Sequence, residues 1–169
     1  MPNFIRYYVR FIDGLTKTVG HFTMYLVFVM MAILVLSFVT RNIINLPMIW
    51  IIEMAQFIMT AYYILGGGYS LMTNDHVRMD LVYSKLSERN QARMDLFTSV
   101  FLVFYLVCLL IGSYSSLIYT LDTNQRLFTA WAPYVWPIKS IMLFGILLML
   151  LQSISTFFKD LAKVIGRTI

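Results

Sequence analysis

The sequence predicts an all-α integral membrane protein: four transmembrane helices, both termini in the cytoplasm, and an N-terminal amphipathic helix lying in the inner interface. Three observations carry that prediction. Hydrophobic residues make up 60% of the chain and charged residues only 12%, far from the balance of a soluble domain. Four segments are long and apolar enough for a hydrocarbon core of about 30 Å, which takes about 20 residues of helix. The basic residues are also lopsided. Arg6, Arg10 and Lys17 precede the first segment, Arg78, Lys85, Arg89 and Arg93 separate the second from the third, and Lys159, Lys163 and Arg167 follow the fourth. Only Arg41 and Arg126 fall in the two opposite loops, so the positive-inside rule places the termini and the middle loop in the cytoplasm.

Taken in order, residues 4–17 set Phe4, Ile5, Tyr8, Phe11, Ile12 and Leu15 against Arg6, Arg10, Asp13 and Lys17 at helical spacing. Such a helix is expected to lie in the inner headgroup layer. The first span, about 20–41, holds the charge-free run Phe22 to Val39. Basic residues before an apolar run resemble a secretory signal, but this run is too long and lacks a small-x-small cleavage site, so it reads as a retained helix. The second span, about 47–73, is interrupted only by Glu53. A cytoplasmic loop, 74–93, follows; its Val77, Leu81, Val82 and Leu86 suggest a second interfacial helix, and Ser87 suits the N-cap of the next helix. The third span, about 94–121, contains no charge from Leu96 to Leu121, and the fourth, about 134–158, carries Lys139 near its start. The outer loops, Asn42–Pro47 and Asp122–Pro133, are too short for an external domain. The chain is therefore one transmembrane domain, 1–169, with Trp50, Trp131 and Trp136 near the outer interface, where indole is favoured.

Composition and spacing also limit function. The net charge of +5 is spread along the cytoplasmic edge rather than gathered among stacking aromatics, which suits anionic lipid headgroups and not nucleic acid. Cys108 is the single cysteine and offers no redox pair. Glu53, Gln56, Thr60, Tyr63 and Gly67 share one face of the second helix, and a polar face in hydrocarbon must pack within the bundle or against another subunit. Packing is expected over a transport relay, because a single acid lies within the spans. Glu53 and Lys139 each sit about 10 Å below the outer entry of their helices, at 1.5 Å per residue, and are expected to approach each other. Gly66, Gly67, Gly68 and Ser70, with Gly112 and Ser116, permit close helix contact. His21 and His76 fall at helix ends and alone do not make a haem or metal site, so no cofactor is expected. Neither a nucleophile set nor paired carboxylates nor a Cys/His cluster is present, and no enzyme activity is expected.

The stretch Trp50 to Leu81 has Trp50-x-x-Glu53 at the head of a helix, Leu65-Gly66-Gly67 within it, and Asp75-His76-Val77-Arg78-Met79-Asp80 at its far end. This resembles the small membrane subunit, the DctQ-like component, of tripartite ATP-independent periplasmic (TRAP) transporters. Leu86 to Gln91, Pro137-Ile138-Lys139 and Leu150-Leu151-Gln152 fit the same pattern, while the first span is only generically similar. The resemblance implies a scaffold subunit in the bacterial inner membrane. It would support a large elevator subunit in sodium-coupled uptake of an organic anion, a carboxylate or sulfonate, delivered by a periplasmic binding protein. Expected partners are thus the large TRAP membrane subunit, the binding protein and the lipid bilayer. Two rivals fit less well. The membrane anchor of a respiratory oxidoreductase would want histidines deep in the bilayer, and a small multidrug-type carrier would want an acid in its first helix. Trp50, Glu53, Gln56, Gly66, Gly67, His76, Arg78, Asp80 and Lys139 stand as structural or interface candidates.

Overall fold

The computed structural model describes residues 3–43, 48–73 and 88–165. They form α1 (Asn3–Asn42), α2 (Trp50–Thr73), α3 (Glu88–Asp122) and α4 (Trp136–Ile165). Three helical stretches are long and apolar enough to cross a membrane, Ile5–Asn42, Arg93–Asp122 and Trp136–Ala162. α2 is not among these three. α2 packs between α1 and α4, and α3 packs on α4.

The interior is small and partly polar, and the outside is apolar. Ile51, Leu106 and Leu148 are buried, but so are Thr16, Thr23, Thr120, Gln152, Ser153 and Ser155, whereas Phe22, Phe28, Phe97, Phe104 and Ile111 are exposed. That inversion is expected where lipid solvates apolar side chains and helices associate through close packing and interhelical hydrogen bonds.

The largest departure from the sequence expectation is α1. Residues 4–17 do not form a separate interfacial helix: they run without a break into the first span, giving one helix of 40 residues, about 60 Å at 1.5 Å per residue. α4 supplies the reason, since it continues past the expected end at 158 to Ile165 and takes the inward face of the early part of α1. Val9, Ile12 and Thr16 are buried, and Tyr7, Phe11 and Leu15 are exposed on the other side. The Tyr8 hydroxyl donates to the Leu151 carbonyl at 3.2 Å, tying the two helices further. Within α1, hydroxyls of Thr18 and Thr23 bond back to the carbonyls of Gly14 and Val19, so its local polar groups stay satisfied.

The connection between α3 and α4 is ordered and short. Asn124 adopts a left-handed backbone with φ 48, and Gln125 N donates to Thr120 O at 3.1 Å while Asn124 N donates to Leu121 O at 3.4 Å. These two bonds close α3 as a Schellman motif, with asparagine tolerating the position that glycine usually takes. Arg126 and Tyr134 then pair across a small hairpin, and the Arg126 guanidinium stacks 4.3 Å from the Tyr134 ring centroid. Val135 caps α4 by accepting from Lys139 N at 3.3 Å, which leaves Pro137 in the first turn, where its missing N–H is harmless.

Candidate interaction surface

α2 carries the largest share of the sequence-predicted site. Its inward face comprises Ile51, Glu53, Ala61, Leu65, Gly68 and Leu71. The polar stripe anticipated from spacing runs along the border of that face rather than inside it: Glu53 is buried, Thr60 and Gly67 are half-buried, and Gln56 and Tyr63 are exposed. Thr60 bonds back to the Gln56 carbonyl at 2.9 Å, which satisfies its hydroxyl locally. Trp50, at the start of the helix, is partly exposed like Trp131 and Trp136. His76, Arg78 and Asp80, the proposed second interfacial helix and the N-cap Ser87 all lie outside the described residues.

The expected contact between Glu53 and Lys139 does not form. Lys139 turns to the end of α3, where its ammonium donates to Thr120 Oγ1 at 2.5 Å, Gln125 Oε1 at 3.3 Å and the Ser116 carbonyl at 3.5 Å. The cause is the short α3–α4 connection, which sets the first turn of α4 beside the unsatisfied carbonyls at the C-terminus of α3, a favourable place for a cation. Glu53, only 6% exposed, is left with its Oε2 lacking a hydrogen-bond partner among the described residues. Its place in the first turn of α2 gives it the helix dipole as partial compensation.

A second polar cluster was not anticipated. Asp13 Oδ2 accepts from Lys159 Nζ at 2.6 Å, and its Oδ1 accepts from Gln152 Nε2 at 3.0 Å and Ser155 Oγ at 3.3 Å. Thr16 donates to the free side of Gln152 at 2.8 Å. The sequence held one usable signal: Gln152, Ser155 and Lys159 recur at three and four residues along α4, as do Asp13 and Thr16 along α1.

The glycines divide. A Cβ on Gly20 would overlap Tyr69, one on Gly68 would overlap Leu148 and one on Gly145 would overlap Ile64; a Cβ on Gly67 would come within 3.0 Å of Met149, and one on Gly66 would make ordinary contact with Thr23. Gly67 and Gly68 therefore let α4 close on α2, and Gly20 lets α1 close on it. Gly112 has nothing within 4 Å, so within this chain it permits no helix contact. His21 Nδ1–H donates to the Lys17 carbonyl at 2.8 Å and the ring meets the Tyr69 ring edge-on, which gives it a local structural role.

The arrangement therefore presents two closed polar clusters, a glycine-packed three-helix junction and one helix with an exposed polar edge. The family profile described as tripartite ATP-independent periplasmic transporters, DctQ component, matches residues 30–163, most of the chain. The chain belongs to the DctQ family. The match confirms the resemblance drawn from Trp50 to Leu81 and extends it into α1, which had looked only generically similar. DctQ chains are membrane components of TRAP transporters, so this is a membrane transport protein that works in a complex with other components, and the family is not an enzyme family. No curated protein matches the chain.

Proposed function

We propose that this DctQ chain is the small scaffold subunit of a TRAP transporter in the inner membrane. It supports a large elevator subunit in sodium-coupled uptake of an organic anion, a carboxylate or sulfonate, handed over by a periplasmic binding protein. All four helices span the membrane, and both termini face the cytoplasm, with the anionic inner leaflet holding the basic edge. The chain needs no cofactor for this role. The observation that carries the reading is the filled three-helix junction: Gly20 against Tyr69, Gly68 against Leu148, Gly145 against Ile64 and Gly67 against Met149 leave these helices packed backbone to side chain. A carrier has to open a path between helices around a midplane site, whereas a support has to stay rigid. The polar side chains inside the bundle are spent in the same sense, since Asp13 and Lys139 are each engaged by several neighbours.

Reconstitution tests this. Liposomes containing this subunit alone should show no sodium-driven uptake, and uptake should appear when the large subunit and the binding protein are both supplied. Uptake by the subunit alone would overturn the reading.

A further inference from the structure

We propose that the early part of α1 grips the inner leaflet, with Tyr7, Phe11 and Leu15 at the border of its acyl chains and Arg10 and Lys17 on its anionic headgroups. The inference goes beyond the scaffold role and rests only on the placement of the N-terminus in the cytoplasm. At 3.6 residues per turn this part of α1 has three sides. Val9, Ile12 and Thr16 are buried on the side turned to α4. Arg10 and Lys17, seven residues apart and both exposed, share a second side, which Arg6 continues one turn earlier. Neither Arg10 nor Lys17 is paired with a carboxylate among the described residues. The one acid between them, Asp13, is held by Lys159, Gln152 and Ser155 of α4, so the flank keeps a net positive charge. Tyr7, Phe11 and Leu15 form the third side, roughly a third of a turn from the cations, and Tyr7 is 73% and Phe11 58% exposed.

The continuation of the third side identifies what covers it. Beyond Leu15, Phe22, Tyr25, Val29 and Leu36 follow at seven, three, four and seven residues, on the same side of one unbroken helix, and all are exposed. They belong to the charge-free run that crosses the hydrocarbon, so there the stripe meets lipid. Thr18, the polar residue between the two parts, bonds back to the Gly14 carbonyl at 3.0 Å. Tyr25 lies near the inner end of the run, where a phenol reaches the headgroups. Length points the same way. Held upright with Phe22 at the inner edge of the hydrocarbon, α1 would carry Phe11 about 16 Å and Tyr7 about 22 Å toward the cytoplasm at 1.5 Å per residue. The headgroup layer is only about 6 Å deep, so large apolar side chains would stand in water. Inclining the 40-residue helix by about 40° fits its length within the roughly 45 Å of a whole bilayer. The aromatic side then rests on acyl chains and the cations meet phosphodiesters, each such contact favouring an anionic surface. A protein in that place would need acids opposite Arg10 and Lys17 and an apolar surface opposite Phe11, both of which the inner leaflet supplies at the depth the rest of α1 fixes.

The test uses the full chain in a Cys108→Ser background, in nanodiscs of phosphatidylcholine with and without phosphatidylglycerol. A fluorescent label on Phe11→Cys should be quenched by a nitroxide carried on the lipid acyl chain and spared by acrylamide, and a label on Arg10→Cys should be quenched by acrylamide. The variant Arg10→Gln/Lys17→Gln should keep its melting temperature, since both side chains point away from the bundle. It should lose roughly tenfold in apparent affinity for phosphatidylglycerol, read by native mass spectrometry against phosphatidylcholine. Equal quenching of both labels by acrylamide would show a stalk standing in water and overturn the proposal. An undiminished preference for phosphatidylglycerol in the double variant would overturn it too, by placing the headgroup contact elsewhere. So would a label on Phe11→Cys that loses its lipid quenching when the other transporter components are present, which would assign this side to protein. If labelling of intact cells places the N-terminus outside, the inner-leaflet assignment falls with the topology, and the quenching contrast between positions 11 and 10 tells that failure from a segment that does not lie on lipid.

Discussion

Lys139 shows how far a single residue can be read from sequence. Its depth and its charge were legible, and so was the need for a partner, because an ammonium inside a span does not stay unpaired. The partner was not, because Glu53 matched it in depth and nothing in the linear order says that Thr120 and Gln125 lie nearer. A cation beside helix carbonyls needs no carboxylate. Glu53→Gln and Lys139→Met should therefore act independently: their combined loss of thermal stability in detergent should equal the sum of the single losses, as expected for groups that do not interact. Lys139→Met alone should cost about 1–3 kcal/mol, because it strands the acceptors around Thr120. A double variant more stable than Lys139→Met would show instead that the two side chains interact. Glycines give a second contrast. Gly145→Val drives a side chain into Ile64 and should cost about 1–3 kcal/mol, as overpacking usually does. Gly112→Ala meets open space in this chain and should leave the melting temperature of the isolated subunit unchanged. Both were equally visible as small residues, and only the fold separates them.

At the scale of elements, the α3–α4 hairpin was the most legible part. A run without charge, a short polar connection and a second apolar run imply antiparallel neighbours, and Asn124 supplies the left-handed residue that such a stop requires. α1 was the least legible. Its early residues have the amphipathic spacing of an interfacial helix, and that spacing is the same whether the apolar stripe meets lipid or another helix. What decides is that α4 runs alongside this part of α1 and offers Gln152, Ser155 and Lys159 to Asp13 and Thr16. Hydrogen exchange tests the outcome: amides from Val9 to Thr16 should be protected as well as those of the following turns of α1. Asp13→Ala should release them, with a loss of about 1–3 kcal/mol for stranding its donors. Fast exchange in the unsubstituted chain would indicate a free surface helix.

For the whole molecule, orientation is the property most open to a direct check. In a Cys108→Ser background, cysteine placed at Phe128, at the tip of the hairpin and fully exposed, should react with a membrane-impermeant maleimide in intact cells with a permeable outer membrane. Cysteine placed at Arg10 should react only after the inner membrane is opened. The reverse pattern would invert the topology. The sequence by itself determined the class, the approximate position of each helix, the family and the asymmetry of charge, because hydrophobic length and the placement of Lys and Arg are properties of local composition that a bilayer reads directly. Only the tertiary structure decided which polar groups meet. The pairing of Asp13 with Lys159, the turning of Lys139 away from Glu53 and the exposure of Gln56 and Tyr63 depend on helix rotation and on how far one helix overruns another. Those are set by close packing at the glycines of α2 and α4, and hydrophobicity, being the same on every side of a lipid-facing helix, carries no record of them.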